Sequence, residues 1–159
     1  MRKFSLLICM IFCAISLNAQ LKTFKGAWFD IKYPSSFKAK GSQKSMSASG
    51  WESATFKSPD GLVEFYVFSP QWRADVNDID ITANEKLVSK DSSMKGSEKS
   101  VWWTIAAKNG GYIRSYQESS NEEFNTNRVF GIKYKNAAAL AKYKTQYEAF
   151  KKTLTQYAD

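Results

Sequence analysis

Two tryptophans stand side by side at Trp102-Trp103, with Trp51 and Trp72 further up the chain. Indole rings stack on sugar faces and anchor protein partners, so these four are the candidate ligand-binding residues. Neighbours on a strand point to opposite faces, which turns one of Trp102 and Trp103 inward and the other outward. Asp75, Asp78 and Asp80, with Asn77 and Asn84 close by, offer hard oxygen atoms of the kind Ca²⁺ takes. They lack the glycine and the spacing of an EF-hand. An acidic loop ahead of a helix N-terminus accounts for them better, and they stand only as weak metal candidates. Glu122-Glu123 shows no pairing with a second carboxylate of the kind glycosidase chemistry needs.

Much chemistry is excluded by residue type. The chain has no histidine, so Ser-His-Asp and Cys-His nucleophile systems and imidazole metal ligands are out. There is no phosphate-cradling G-x-x-x-x-G-K-[ST] and no G-x-G-x-x-G opening a helix. No catalytic residue is assigned and no cofactor is called for.

The first segment reads as an export signal. Arg2 and Lys3 precede an apolar run from residue 4 to residue 17, and Leu17-Asn18-Ala19 supplies a small residue at the expected cut. That run is about 14 residues against the roughly 20 of a spanning helix, so cleavage after Ala19 is expected rather than a retained anchor. Both cysteines, Cys9 and Cys13, lie within it, preceded by Ile8 and Phe12 rather than by the small residue a lipid-anchor cysteine requires. Residues 20–159 then form one cysteine-free domain, periplasmic or secreted, which must rely on its core rather than on disulfides. The net charge of +8, or +6 without Arg2 and Lys3, is spread along the chain and serves solubility first. Export argues against nucleic acid as a partner.

The elements that position these residues follow from periodicity and turn residues. Residues 28–33 alternate, with Phe29, Ile31 and Tyr33 on one side, and Pro34 ends the strand. Residues 37–40 begin another, and the Ser-, Lys- and Gly-rich stretch 38–53 reads as a loop or a weak edge strand. Ser58-Pro59-Asp60-Gly61 joins strands 53–57 and 62–68, and Lys108-Asn109-Gly110-Gly111 joins strands 101–107 and 112–118. Residues 128–134 form a further strand. Thr82 followed by Glu85 matches a capping box, which predicts a short helix over 83–90 and a polar loop over 91–100. Asn136 caps a long amphipathic helix over 137–156, whose stripe is Leu140, Tyr143, Tyr147, Phe150 and Leu154. The fold class is α+β: an antiparallel β-sheet with helices packed against it.

The segment Phe29-Asp30-Ile31-Lys32-Tyr33-Pro34-Ser35-Ser36-Phe37 resembles the opening strand and Tyr-Pro turn of PsbP-like domains. The two hairpins, the last strand and the closing helix follow in that family's order over nearly the whole of 20–159. The resemblance implies an antiparallel sheet with helices against it, in a family that serves chiefly as binding or assembly factors. Its photosynthetic members support the oxygen-evolving centre, but no motif here carries that role and no functional residue transfers. The expected function is a non-enzymatic exported binding or accessory protein of the bacterial cell envelope, with a protein or glycan partner. The alternatives are a histidine-free carboxylate hydrolase or lyase acting on polysaccharide, and an anionic-lipid or membrane-surface binder.

Overall fold

The computed structural model describes residues 20–157. The export-signal reading of 1–19, with Cys9 and Cys13, lies outside the described residues. The strands are β1 (Leu21–Lys25), β2 (Phe29–Pro34), β3 (Lys38–Gly41), β4 (Ser53–Lys57), β5 (Val63–Phe68), β6 (Glu85–Lys95), β7 (Glu98–Ala107), β8 (Ile113–Asn121) and β9 (Thr126–Tyr134). Helix α1 (Ala137–Lys151) and the short β10 (Thr155–Gln156) close the chain. One sheet has the order β1-β2-β10; the other has seven strands in the order β3-β4-β5-β9-β8-β7-β6, and all pairings are antiparallel.

The hairpins sit where their turn residues put them. Ser58 Oγ donates to Asp60 Oδ1 at 2.7 Å and accepts the Val63 N–H at 3.1 Å. Gly61 completes that turn at φ +68°, a region glycine enters without a Cβ clash. The Asn109-Gly110 turn joins β7 to β8.

The seven-stranded sheet has two unequal faces. On one, Phe56 and Phe65 meet α1 through Tyr147 and Phe150, with ring centroids 5.1–5.3 Å apart. Phe29 and Ile31 of β2 are buried in the same core. Each such side chain contributes about 1.5–3 kcal/mol by leaving water. Asn136 caps α1 by accepting the Ala139 N–H at 2.9 Å, as its residue type implied. The other face carries no helix among the described residues. The connection 69–84 crosses it and lays Ile79, with Ala74 and Val76, over Tyr66, Phe68, Tyr116 and Val129.

Four expectations are corrected. Residues 83–90 are not a helix: Glu85–Lys95 is strand β6, and 91–100 forms the β6–β7 hairpin around Gly96. The Thr82–Glu85 bonds do form, with the Glu85 carboxylate accepting the Thr82 N–H at 2.9 Å. They close a turn into a strand, because the Glu85 side chain is held by the sheet rather than by a helix. There is one α-helix among the described residues, not several, and it ends at Lys151; Leu154 lies beyond it, where the chain returns to pair with β2.

A cross-strand row on the helix-free face runs Thr55, Tyr66, Gly131, Tyr116, Trp103, Lys90. Gly131 lets the Tyr116 ring lie flat across β9, since a Cβ there would come within 2.4 Å of that ring. Gly131→Ala is therefore expected to cost about 1–3 kcal/mol in urea denaturation. An unchanged midpoint would show that the Tyr116 ring moves aside freely.

Candidate functional site

The helix-free face carries an open cleft of about 760 Å³ between the 76–81 stretch and strands β6 and β7. Its floor follows from strand alternation: Val101, Trp103 and Ile105 share one face of β7, and Leu87 and Lys90 are their cross-strand neighbours. Ile79 and Ile81 form the wall, and Lys99 lies at the outer end. Trp103 stacks on Tyr116 at 5.3 Å and 25°, and Tyr116 meets Tyr66 edge-on at 5.8 Å. One face of the indole is thus backed by a rigid aromatic row, the arrangement of a preorganised stacking platform.

The cleft wall is irregular chain, so side chains must satisfy its backbone. Arg114 does most of this. Its Nε and Nη2 form a fork on Glu85 Oε1 (2.8 Å) and Oε2 (2.6 Å). Its Nη1 donates to the Ile79 carbonyl and the Tyr116 hydroxyl, and Nη2 also donates to the Asp80 carbonyl. All five guanidinium donors are used. The Glu85 carboxylate also accepts from Thr82 and from the Tyr112 hydroxyl. The Arg114 guanidinium, aided by these donors and opposed by burial, holds the Glu85 carboxyl down to about 2. Two smaller clamps act further along. Asn127 exchanges both hydrogen bonds with the Ala74 backbone, and Gln43 bonds the Asp75 carbonyl and the Asn77 N–H.

Of the four candidate tryptophans, only Trp103 lines the cleft. Trp102 points to the opposite face of β7 and is 39% exposed. Trp51 covers Gly41, with Lys44 Nζ 5.7 Å from its ring. It adjoins β4, four strand spacings or roughly 19 Å from β7. Trp72 is exposed in the 69–84 connection, outside the cleft lining. The structure does not bring the four together.

Nor does it gather Asp75, Asp78 and Asp80. Asp78 accepts from the Tyr66 hydroxyl and from Ser53 Oγ, both at 2.6 Å. Burial first, then Asp78, pushes the Tyr66 phenol well above its usual value. Asp75 and Asp80 engage through their backbone carbonyls. No cluster of three potential metal-ligating side chains occurs among the described residues. Arg114, Tyr116 and Lys90 were not among the sequence candidates, and Glu85 entered only as half of a capping box. The Glu85–Arg114 pair is 29 residues apart and had no local signal; a lone arginine in an otherwise alternating strand was the available hint.

The fold is α+β and PsbP-like, with an open cleft on the sheet face away from α1. The solution structure of cyanobacterial PsbP (CyanoP) from Synechocystis sp. PCC 6803 aligns at a TM-score of 0.50, covering 91% of this chain and 97% of that one at 9% identity. The Ran-binding protein Mog1p of Saccharomyces cerevisiae aligns at a TM-score of 0.42, with 88% and 97% covered at 11% identity. A variant of Mog1 gives 0.45, with 87% and 97% covered at 12% identity. No family model and no curated protein sequence matches the chain.

Removing one partner of the buried ion pair strands the other, so Glu85→Ala is expected to cost about 3–5 kcal/mol. A carboxyl held below its usual 4.5 stabilises the fold fully above that pH, and this is lost as pH falls through about 2. The stability gap between wild type and Glu85→Gln, followed by urea melts from pH 7 to pH 2, should therefore close on acidification. A gap constant with pH would contradict the ionic role.

Proposed function

We propose that this chain is an exported, non-enzymatic binding or accessory protein of the bacterial cell envelope, and that it takes a protein or glycan partner at the Trp103 cleft. One observation carries this reading: a cleft of about 760 Å³ with Val101, Trp103 and Ile105 on its floor and charged residues around them lies open on the sheet face away from α1, with its wall held by Arg114. The sequence of 1–19 supports export. No helix of the described residues is long and apolar enough to cross a membrane. Residues 20–159 act as one domain in this reading.

Two of the three carboxylates lining the cleft accept local hydrogen bonds. Glu118 Oε1 accepts from Asn127, and Asp91 Oδ1 accepts the Ser92 N–H. No two of these carboxylates are seen bonded to one another across the cleft, as a paired acid and base would require. This favours binding over the hydrolase alternative.

In-cell cross-linking of the tagged chain in its native host, read by mass spectrometry, tests the reading. One dominant envelope component should be captured, lost in Trp103→Ser and retained in Trp102→Ser and Trp72→Ser. Capture indifferent to Trp103→Ser would overturn the assignment of the cleft.

A further inference from the structure

Helix α1 covers only part of its own face of the seven-stranded sheet. It packs on β9, β5 and β2, and the α1 side of β8, β7 and β6 has no buried residue from Ser100 to Thr104 or from Ser115 to Ser119. Trp102 stands in the middle of this open part, exposed and turned away from the Trp103 cleft. The strand register gives its surround. Asp91 and Gln117 lie directly across from it, Ser100 and Thr104 flank it on β7, and the four diagonal positions on β6 and β8 are all serine. None of these neighbours is apolar.

The row that holds Trp102 runs on through Gln117 to Phe130, and there it meets the flank of α1. A hollow of about 270 Å³ occupies that angle. Gln117, Ser119, Arg128 and Phe130 line it from the sheet, and Glu148, Lys151 and Lys152 from the end of the helix. Glu148 is bridged to Lys151 at 3.0 Å, whereas Arg128 and Lys152 join none of the three ion pairs found among the described residues. The hollow therefore has a surplus of positive charge. Arg128 lies two strands and one row from Trp102, roughly 12 Å between Cα positions by strand spacing and rise.

We propose that this face is a second binding site, for an acidic glycan: one sugar stacks on Trp102, and Arg128 and Lys152 take the anionic group of the chain. The site lies on the opposite face from the Trp103 cleft and does not depend on it. Three features select this occupant. First, an exposed indole offers a flat apolar face to a sugar ring. Second, the side chains around it are hydroxyls, an amide and a carboxylate, which answer a ring fringed with hydroxyl groups. A protein hot spot is ringed instead by contacts that exclude water. Third, charge separates acidic chains from neutral ones. The unpaired cations lie at the α1 end, and the planar fork of arginine matches an anionic group better than a lysine does. Asp91 lies on the other side of Trp102, where it accepts the Ser92 N–H at 2.8 Å, and so directs the anionic end of the chain toward α1.

Hexasaccharides of galacturonate, of mannuronate and of alternating glucuronate and N-acetylglucosamine serve as probes of the mature chain. Calorimetry gives the affinity, and the Trp102 indole N–H signal in NMR locates the site. At least one probe should shift that signal and bind with a Kd of about 1 mM or tighter. Its methyl ester, which keeps the rings and removes the charges, should bind about tenfold more weakly or worse. Trp102→Ser and Arg128→Gln should each weaken binding by about tenfold or more, while Trp102→Tyr, which keeps a ring, should retain most of it. Trp72→Ser should leave it unchanged. No binding of any acidic hexasaccharide, equal binding of the ester, or full binding by Trp102→Ser overturns the proposal. If the Trp102 signal moves instead with phosphatidylglycerol vesicles, or with protein concentration alone, a lipid surface or a second copy occupies the face, and the proposal is overturned. Either failure leaves the Trp103 capture result standing, because that site is on the other face.

Discussion

The buried fork between Arg114 and Glu85 is the constraint on which the helix-free half of the molecule depends. A charge pair removed from water is tolerable only when its remaining donors and acceptors are met, and here they are. The guanidinium spends its two carboxylate bonds on Glu85, at the start of β6, and its other three on the Ile79 and Asp80 carbonyls and the Tyr116 hydroxyl. Its Cζ also lies 5.4 Å from the centroid of the Tyr116 ring, a cation–π distance. One side chain of β8 therefore fixes the cleft wall, the entry to β6 and the ring beneath Trp103.

The two faces of the main sheet divide the labour. The helix face is sealed over its central strands by aromatic packing with α1 and β2, and it supplies most of the apolar burial. The other face is covered by a connection with no strands or helices of its own, whose backbone is answered by Arg114, Asn127 and Gln43. That cover reaches only the middle strands. Beyond it β6 and β7 project with Trp103, Leu87 and Lys90 accessible, and the open cleft is a consequence of where the cover ends. The cleft proposed for binding adjoins this boundary.

Local chemistry was legible in the sequence; long-range pairing was not. The Ser58–Gly61 and Asn109–Gly110 turns, the Asn136 cap and the Tyr143-Tyr147-Phe150 burial all follow from neighbouring residues. The error over 83–100 has a physical reason. Strand β6 is exposed on both faces, so it shows no alternation, while Thr82 and Glu85 make a capping-box bond that a turn accommodates as well as a helix does. Strands β1 and β10 went unread because each owes its conformation to pairing with β2. At the candidate site, alternation separated Trp102 from Trp103. It did not reveal that Trp103 faces the cleft, since that depends on how far the 69–84 connection extends over the sheet.

Amide hydrogen exchange compared between wild type and Arg114→Met tests this account most directly. If Arg114 holds the cover onto a sheet that is otherwise self-sufficient, the Thr82 and Glu85 amides should exchange faster, while those of 140–150 in α1 keep their wild-type rates. Equal acceleration of the cover and the helix, or no acceleration of the cover, would contradict it.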